Sequence, residues 1–313
     1  MRGIIFAAAA AFVAGTVGAA QAAEPESCGE VTFSDVGWTD ITATTALTTT
    51  VLKALGYETD VKVLSVPVTY ASLASGDVDV FLGNWMPTME ADIAPYRDAG
   101  TVETVRTNLE GAKYTLAVSQ SLADKGLKDF ADIAKFKDEL DGKIYGIEPG
   151  NDGNRLILDM IEADAFGLKG FELVESSEQG MLAQAKRAES RGEAVVFLGW
   201  EPHPMNANLK MAYLTGGDDF FGPNLGGATV LTNVRKGYVA ECPNVGKLLE
   251  NLEFSLAMEN EVMGKILDEG EDPEKAAAAW LKANPAALDD WLAGVTTKDG
   301  GDGMAAVKGA LGL

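Results

Sequence analysis

The sequence predicts an α/β protein of two lobes, each a mostly parallel sheet flanked by helices, closing on each other as a clamshell. Three observations carry this. Two distant stretches resemble each other: Val80-Phe81-Leu82-Gly83-Asn84-Trp85-Met86-Pro87 and Val196-Phe197-Leu198-Gly199-Trp200-Glu201-Pro202. Each is a run of β-formers, then Gly, then Trp-x-Pro, and each reads as a buried strand of a parallel sheet. Each stretch also closes a β-α-β-α-β unit of similar length, and such units need right-handed crossovers between parallel strands. Finally, Cys28 and Cys242 are the only two cysteines, one near each end of the chain. Paired, they put both ends in one lobe and the middle in the other.

The elements follow in order. Residues 31–34 read as the first strand, and residues 41–55 as a helix with Ile41, Leu47, Val51 and Leu55 at helical spacing before Gly56. A strand over 61–64, a helix over 67–75 and a strand over 78–82 complete the first unit. Residues 113–118 read as a strand leaving lobe I, and the Lys/Asp-rich stretch 121–140 as helical. The second unit has a strand over 143–147, a helix opened by Glu148-Pro149-Gly150-Asn151-Asp152-Gly153, a strand over 171–174, a helix over 177–191 and a strand over 194–198. A strand over 210–214, an acidic Gly-rich crossing over 215–223 and a strand over 228–232 lead back. Helices over 245–254, 256–267, 273–283 and 285–293 finish the chain. The expected division is lobe I, residues 23–112 plus 215–313, and lobe II, residues 113–214, with two crossing segments as the hinge.

Residues 1–22 are expected to be a secretory signal peptide. Met1-Arg2 gives a positive start, an apolar stretch of small residues follows, and Ala20-Gln21-Ala22 fits a small-x-small cleavage site. The mature chain then starts near Ala23 in the periplasm, with no cysteine at the cleavage point to take a lipid. Export favours a disulfide between Cys28 and Cys242. The chain has 25 Lys and Arg against 47 Asp and Glu, a net charge of −22. Such a field repels nucleic acid and anionic membranes and concentrates cations. No CxxC, HExxH, GxSxG or phosphate loop is present, and His203 is the single histidine, so no metal, cofactor or catalytic residue is predicted.

The candidate site is aromatic. Trp38, Trp85 and Trp200 each fall just past the carboxyl end of a predicted strand, where open α/β sheets bind ligands. Tyr114 lies on the predicted crossing strand. Indole and phenol faces attract cations, at about 0.5–2 kcal/mol per contact. A quaternary ammonium has no N–H to donate, so a box of such faces suits it. For any one Trp the plain alternative is core packing, which Trp280 and Trp291 in the C-terminal helices are expected to show. Asp40 follows Trp38 at a helix start, as counter-charge to a cation or as an acid favoured by the helix dipole. Asn151 opens a helix, as ligand to a hydroxyl or as a cap.

These motifs, Gly37-Trp38-Thr39-Asp40, Gly83-Asn84-Trp85-Met86-Pro87, Lys113-Tyr114, Gly150-Asn151-Asp152 and Gly199-Trp200-Glu201-Pro202, resemble the periplasmic substrate-binding proteins of quaternary-ammonium ABC importers. Within that glycine betaine/choline group the likeness is greatest to the choline-binding branch, over essentially the whole mature chain. The resemblance implies a trimethylammonium head boxed by Trp38, Trp85, Trp200 and Tyr114, with Asp40 as acidic partner and Asn151 on the hydroxyl. It implies choline as ligand, a membrane permease and its ATPase as partners, and a monomer. Glycine betaine would instead need donors or a cation for its carboxylate, and Lys113 and Arg155 are near enough in sequence to leave that open. A periplasmic choline-ester hydrolase, and a binder of another solute with structural tryptophans, are the other readings.

Overall fold

The computed structural model describes residues 24–313; the expected signal peptide lies outside them. The first unit is β1 (Glu30–Asp35), α1 (Thr39–Ala54), β2 (Glu58–Val63), α2 (Val66–Ser75) and β3 (Val80–Met86), followed by α3 (Glu90–Asp98). α2 stops where expected, on Gly76 at φ +85°, a left-handed turn that glycine adopts without strain. The 18-residue strand β4 (Val102–Ser119) then leaves the first half. The second unit contains α4 (Gln120–Asp124), β5 (Lys143–Tyr145), α5 (Asp152–Glu162), β6 (Glu172–Val174), α6 (Glu178–Arg191), β7 (Val196–Glu201), α7 (Met205–Asn208) and β8 (Met211–Tyr213). The chain returns through α8 (Asp218–Phe221), the single turn α9 (Pro223–Gly226) and β9 (Gly227–Arg235). It ends in α10 (Tyr238–Glu241), α11 (Pro243–Asn251), α12 (Leu256–Leu267), α13 (Pro273–Ala283), α14 (Ala287–Trp291) and α15 (Gly303–Leu311).

Helix starts follow the capping residues. Asn151 accepts from the Asn154 N–H at 2.9 Å, Ser177 from Gly180 at 3.1 Å, Ser255 from Met258 at 3.2 Å and Asp302 from Ala305 at 3.0 Å. The acidic run 268–272 is the turn between α12 and α13, with Asp272 capping the latter.

The strands form one mixed sheet in the order β2-β1-β3-β9-β4-β7-β5-β6, with β8 on β4. The outer parts are parallel, β2-β1-β3 on one side and β7-β5-β6 on the other. The centre is antiparallel. β4 pairs with β9 from Val102 to Lys113 and with β7 from Lys113 to Val118, so one strand serves both lobes. Cys28 and Cys242 are disulfide-bonded, with Cα atoms 5.6 Å apart. The core is continuous, built on Phe33, Leu47, Leu52, Phe81, Leu116, Phe197 and Leu248, each fully buried. Each such side chain contributes about 1.5–3 kcal/mol. Trp291 is buried with its ring edge-on to Phe254, and Trp280 packs on the core with its N–H on Glu261.

Three expectations need correction. Residues 121–140 are not one helix: α4 ends at Asp124, and a 3-10 stretch, Phe130–Phe136, with its own capping box on Asp129 follows. Gly126 at φ +115° separates them. α3 and α15 were not anticipated, because Pro95 lies inside the first and glycines interrupt the second. The mostly parallel sheet expected of each lobe holds in the outer strands, and the antiparallel centre joins them. Most directly, Trp85 and Trp200 are not beyond their strands. Each is the penultimate residue of β3 or β7, because an antiparallel neighbour extends the pairing to Val230 and to Tyr114 respectively.

Candidate ligand-binding site

Both repeats deliver a Trp into the same cavity. At Trp200 the delivery depends on register. β7 and β4 are antiparallel with Tyr114 opposite Trp200, so the two rings share a face, edge to face at 6.2 Å and 80°. Trp85 meets the other side of Tyr114, at 6.1 Å and 63°. Trp38 enters from lobe I as the residue just before α1. Gly83 explains how α1 comes so near β3. A Cβ there would lie 2.6 Å from Ile41 Cδ1 and 2.9 Å from Phe81 Cε2, so a side chain would have to displace Ile41 or Phe81. The glycine shared by the two motifs is thus a close-approach site.

The result is a small cavity between the lobes, lined by Trp38, Asp40, Trp85, Tyr114, Ile147 and Trp200. Five of those six were singled out from the sequence; Ile147, the last residue of a predicted strand, was not. The four rings are nearly inaccessible to solvent, between 3% and 6% exposed. Trp38 Nε1 donates to Glu148 Oε1 at 2.8 Å, and Trp85 Nε1 donates to Asp40 Oδ2 at 3.1 Å. The N–H groups of two of the three indoles are thus engaged by carboxylates. The Tyr114 hydroxyl donates to Asn151 Oδ1 at 3.1 Å, and burial pushes that phenol well above its usual range. Gly153 makes room for it, since a Cβ there would sit 2.0 Å from the Tyr114 oxygen.

Asn151 is the sequence-predicted residue that does not line the cavity. It stands behind Tyr114, where its carbonyl oxygen also caps α5 and its amide donates to Asp152 Oδ1 at 3.1 Å. One amide hydrogen is left over, since Asn has two.

The electrostatics are one-sided. Asp40 is buried, and its Oδ1 has no hydrogen-bond partner. Burial, with the nearby Glu178 charge, pushes its carboxyl up to about 8. Burial likewise raises Glu148 to about 7 and Asp152 to about 6. Glu259, on α12, is held well above its usual range by burial and by Asp40. Among the described residues no Lys or Arg pairs with Asp40, Glu148 or Glu259, and Arg155 lowers only Asp152. Lys113 pairs with Glu201 at 2.8 Å, and Arg155 bonds Asp92 at 2.7 Å and the Thr88 carbonyl at 3.1 Å. Both cations that left the ligand's charge open are therefore engaged elsewhere.

The family model described as the substrate binding domain of ABC-type glycine betaine transport systems matches residues 29–283. The chain belongs to this family. A solved ABC-transporter choline-binding protein in complex with choline is 76% identical, with a TM-score of 0.91 over 92% of this chain and 100% of that one. An unliganded semi-closed conformation, also 76% identical with the same coverage, gives 0.85. Lactococcal OpuAC, closed on glycine betaine, is 26% identical, with a TM-score of 0.75 over 84% of this chain and 98% of that one.

In this substrate-binding protein three residues outside the sequence reading support the site. Glu148 holds Trp38, Glu178 binds the start of α1, and His203, left without a role, is buried beside Trp200 with ring centroids 5.0 Å apart. The turn 148–153 was read as a helix opening, which signalled its position but not the partner of Glu148.

Proposed function

We propose that this protein captures choline between its lobes and delivers it to an ABC importer. The observation that carries the reading is a buried carboxylate, Asp40, with one oxygen bare, in a cavity otherwise walled by three indoles, a phenol and an isoleucine. An ionised carboxylate so buried needs a counter-charge, and none of the described residues supplies one. A trimethylammonium group supplies it without needing hydrogen bonds, and its methyls gain from burial against the rings. Trp38, Trp85, Tyr114 and Trp200 are the box, Asp40 is the counter-charge, and Asn151 acts from behind Tyr114, whose hydroxyl it holds.

The 76% identical choline-bound structure supports the same ligand. Glycine betaine carries a carboxylate that Asp40 would repel and that neither Lys113 nor Arg155 is free to meet, so it binds more weakly. The protein is a binder and not an esterase: His203 Nδ1 accepts the Met205 N–H and Nε2 faces Glu178, so no nucleophile is activated by its only histidine. Membership in this family makes a permease and its ATPase the partners, with the monomeric protein exported to the periplasm after cleavage near Ala22. The pairing of β4 supports the lobe boundary at residues 112–113, and we place the second at 214–215.

Calorimetric titration of refolded, ligand-stripped protein tests the reading. Micromolar or tighter choline binding, about 8 kcal/mol, with much weaker glycine betaine binding is expected. Preference for betaine would overturn the assignment of the polar end, and binding of neither would overturn the ligand.

A further inference from the structure

The first turn of α1 carries two cavity residues, Trp38 and Asp40, yet α1 has no cap of its own. Trp38 occupies the cap position and makes no capping bond. The first N–H groups of a helix have no partner within it and need an acceptor. Here the acceptor comes from the other lobe. Glu178, the first residue of α6, accepts the Thr39 N–H on Oε2 at 2.9 Å, and the Thr39 hydroxyl donates to Oε1. Glu178 Oε1 also lies 3.3 Å from His203 Nε2. Because His203 Nδ1 accepts the Met205 N–H at 2.9 Å, the ring proton belongs on Nε2 and points at Glu178. Glu178 and His203 are each 1% exposed.

We propose that Glu178 is the positioning residue of the closed site, a helix cap delivered across the cleft that holds Trp38 and Asp40 through Thr39 and Trp200 through His203. Glu178 is the first residue of α6, and its carboxylate meets the first N–H of α1. Glu178 does not line the cavity, so it acts on ligand through these neighbours. Opening the lobes breaks the Thr39 bonds and returns both partners to water. Closing without a cation brings the Glu178 and Asp40 charges together, and this raises the Asp40 carboxyl further. A bound cation relieves that repulsion, so closure is linked to occupancy.

The inference rests on the cavity being a choline site, and the experiment separates the two. Choline binding and release are followed by stopped-flow tryptophan fluorescence, and choline and glycine betaine affinities by calorimetry, for wild type, Glu178→Gln, Thr39→Val, Thr39→Ser and the pair Glu178→Gln with Thr39→Val. Glutamine keeps the shape but turns an NH2 toward donors that need an acceptor. It should release choline about tenfold faster or more, with the association rate and the choline-to-betaine preference unchanged. Thr39→Val should release faster, Thr39→Ser should match wild type, and the double variant should add nothing to the larger single effect. Wild-type release from both Glu178→Gln and Thr39→Val overturns the cap, and so does a change in ligand preference, which would make Glu178 a ligand contact. If wild-type protein binds no choline, the ligand assignment fails instead.

Discussion

The Trp85 indole donates its N–H to Asp40 Oδ2 at 3.1 Å and leaves Oδ1 bare, so one wall of the cavity orients the group that carries its charge. Trp85 belongs to β3 and Asp40 to α1, two elements brought together at Gly83. Four expectations follow from this arrangement.

Trp85→Ala and Trp200→Ala should each weaken choline binding at least tenfold, read by calorimetry. Each removes one cation-attracting face, about 0.5–2 kcal/mol, and apolar contact with the methyls. Trp85→Ala also strips Asp40 Oδ2 of its donor, so it should be the worse of the two. Near-normal affinity in both variants would end the case for an aromatic box.

Asp40→Asn keeps the size of the side chain and removes its charge. Choline affinity should fall more than glycine betaine affinity, because betaine loses an attraction at one end and a repulsion at the other. Equal losses for the two ligands would reduce Asp40 to a helix-end residue.

Gly153→Ala places a methyl 2.0 Å from the Tyr114 oxygen and must displace the ring. The fold should survive, since this residue lies in the first turn of α5, but choline affinity should fall at least tenfold. Gly83→Ala crowds Ile41 instead and should cost both affinity and melting temperature. An unchanged affinity in Gly153→Ala would show that Tyr114 does not contact the ligand.

Acidity should compete with choline. Burial raises Asp40 to about 8 and Glu148 to about 7, against ordinary carboxylate values near 4 when unfolded. A raised carboxyl makes the folded protein bind the extra proton. The ligand-free fold is therefore favoured at low pH, and that advantage is lost as pH rises through 7 to 8. Choline needs the ionised form. The rise in melting temperature on adding choline should be larger at pH 8.5 than at pH 5.5, and Asp40→Asn should flatten the difference. A larger rise at pH 5.5 would contradict the counter-charge role.

Much of the site was legible in the sequence because its chemistry is local in type. Trp38, Trp85 and Trp200 are uncommon large residues close to Gly or Pro; with Tyr114, read from its crossing strand, and Asp40, read from the helix start after Trp38, they are five of the six cavity-lining residues. Helix stops at Gly76 and starts at Ser177 and Asn151 were legible for the same reason, since capping and left-handed turns depend on the residue itself.

What only the tertiary structure decided is non-local. Tyr114 meets Trp200 because β4 and β7 pair in one register, and a one-residue slip would turn the two rings to the other face. Glu148 and Glu178 were ordinary acids at helix starts until closure set one against the Trp38 N–H and the other against the start of α1. Asn151 carried the right chemistry, but packing put it behind Tyr114. A sequence fixes which groups a residue can offer. Which buried donor meets which buried acceptor is settled only when distant strands and two lobes close, because burial is what makes an unpaired group costly.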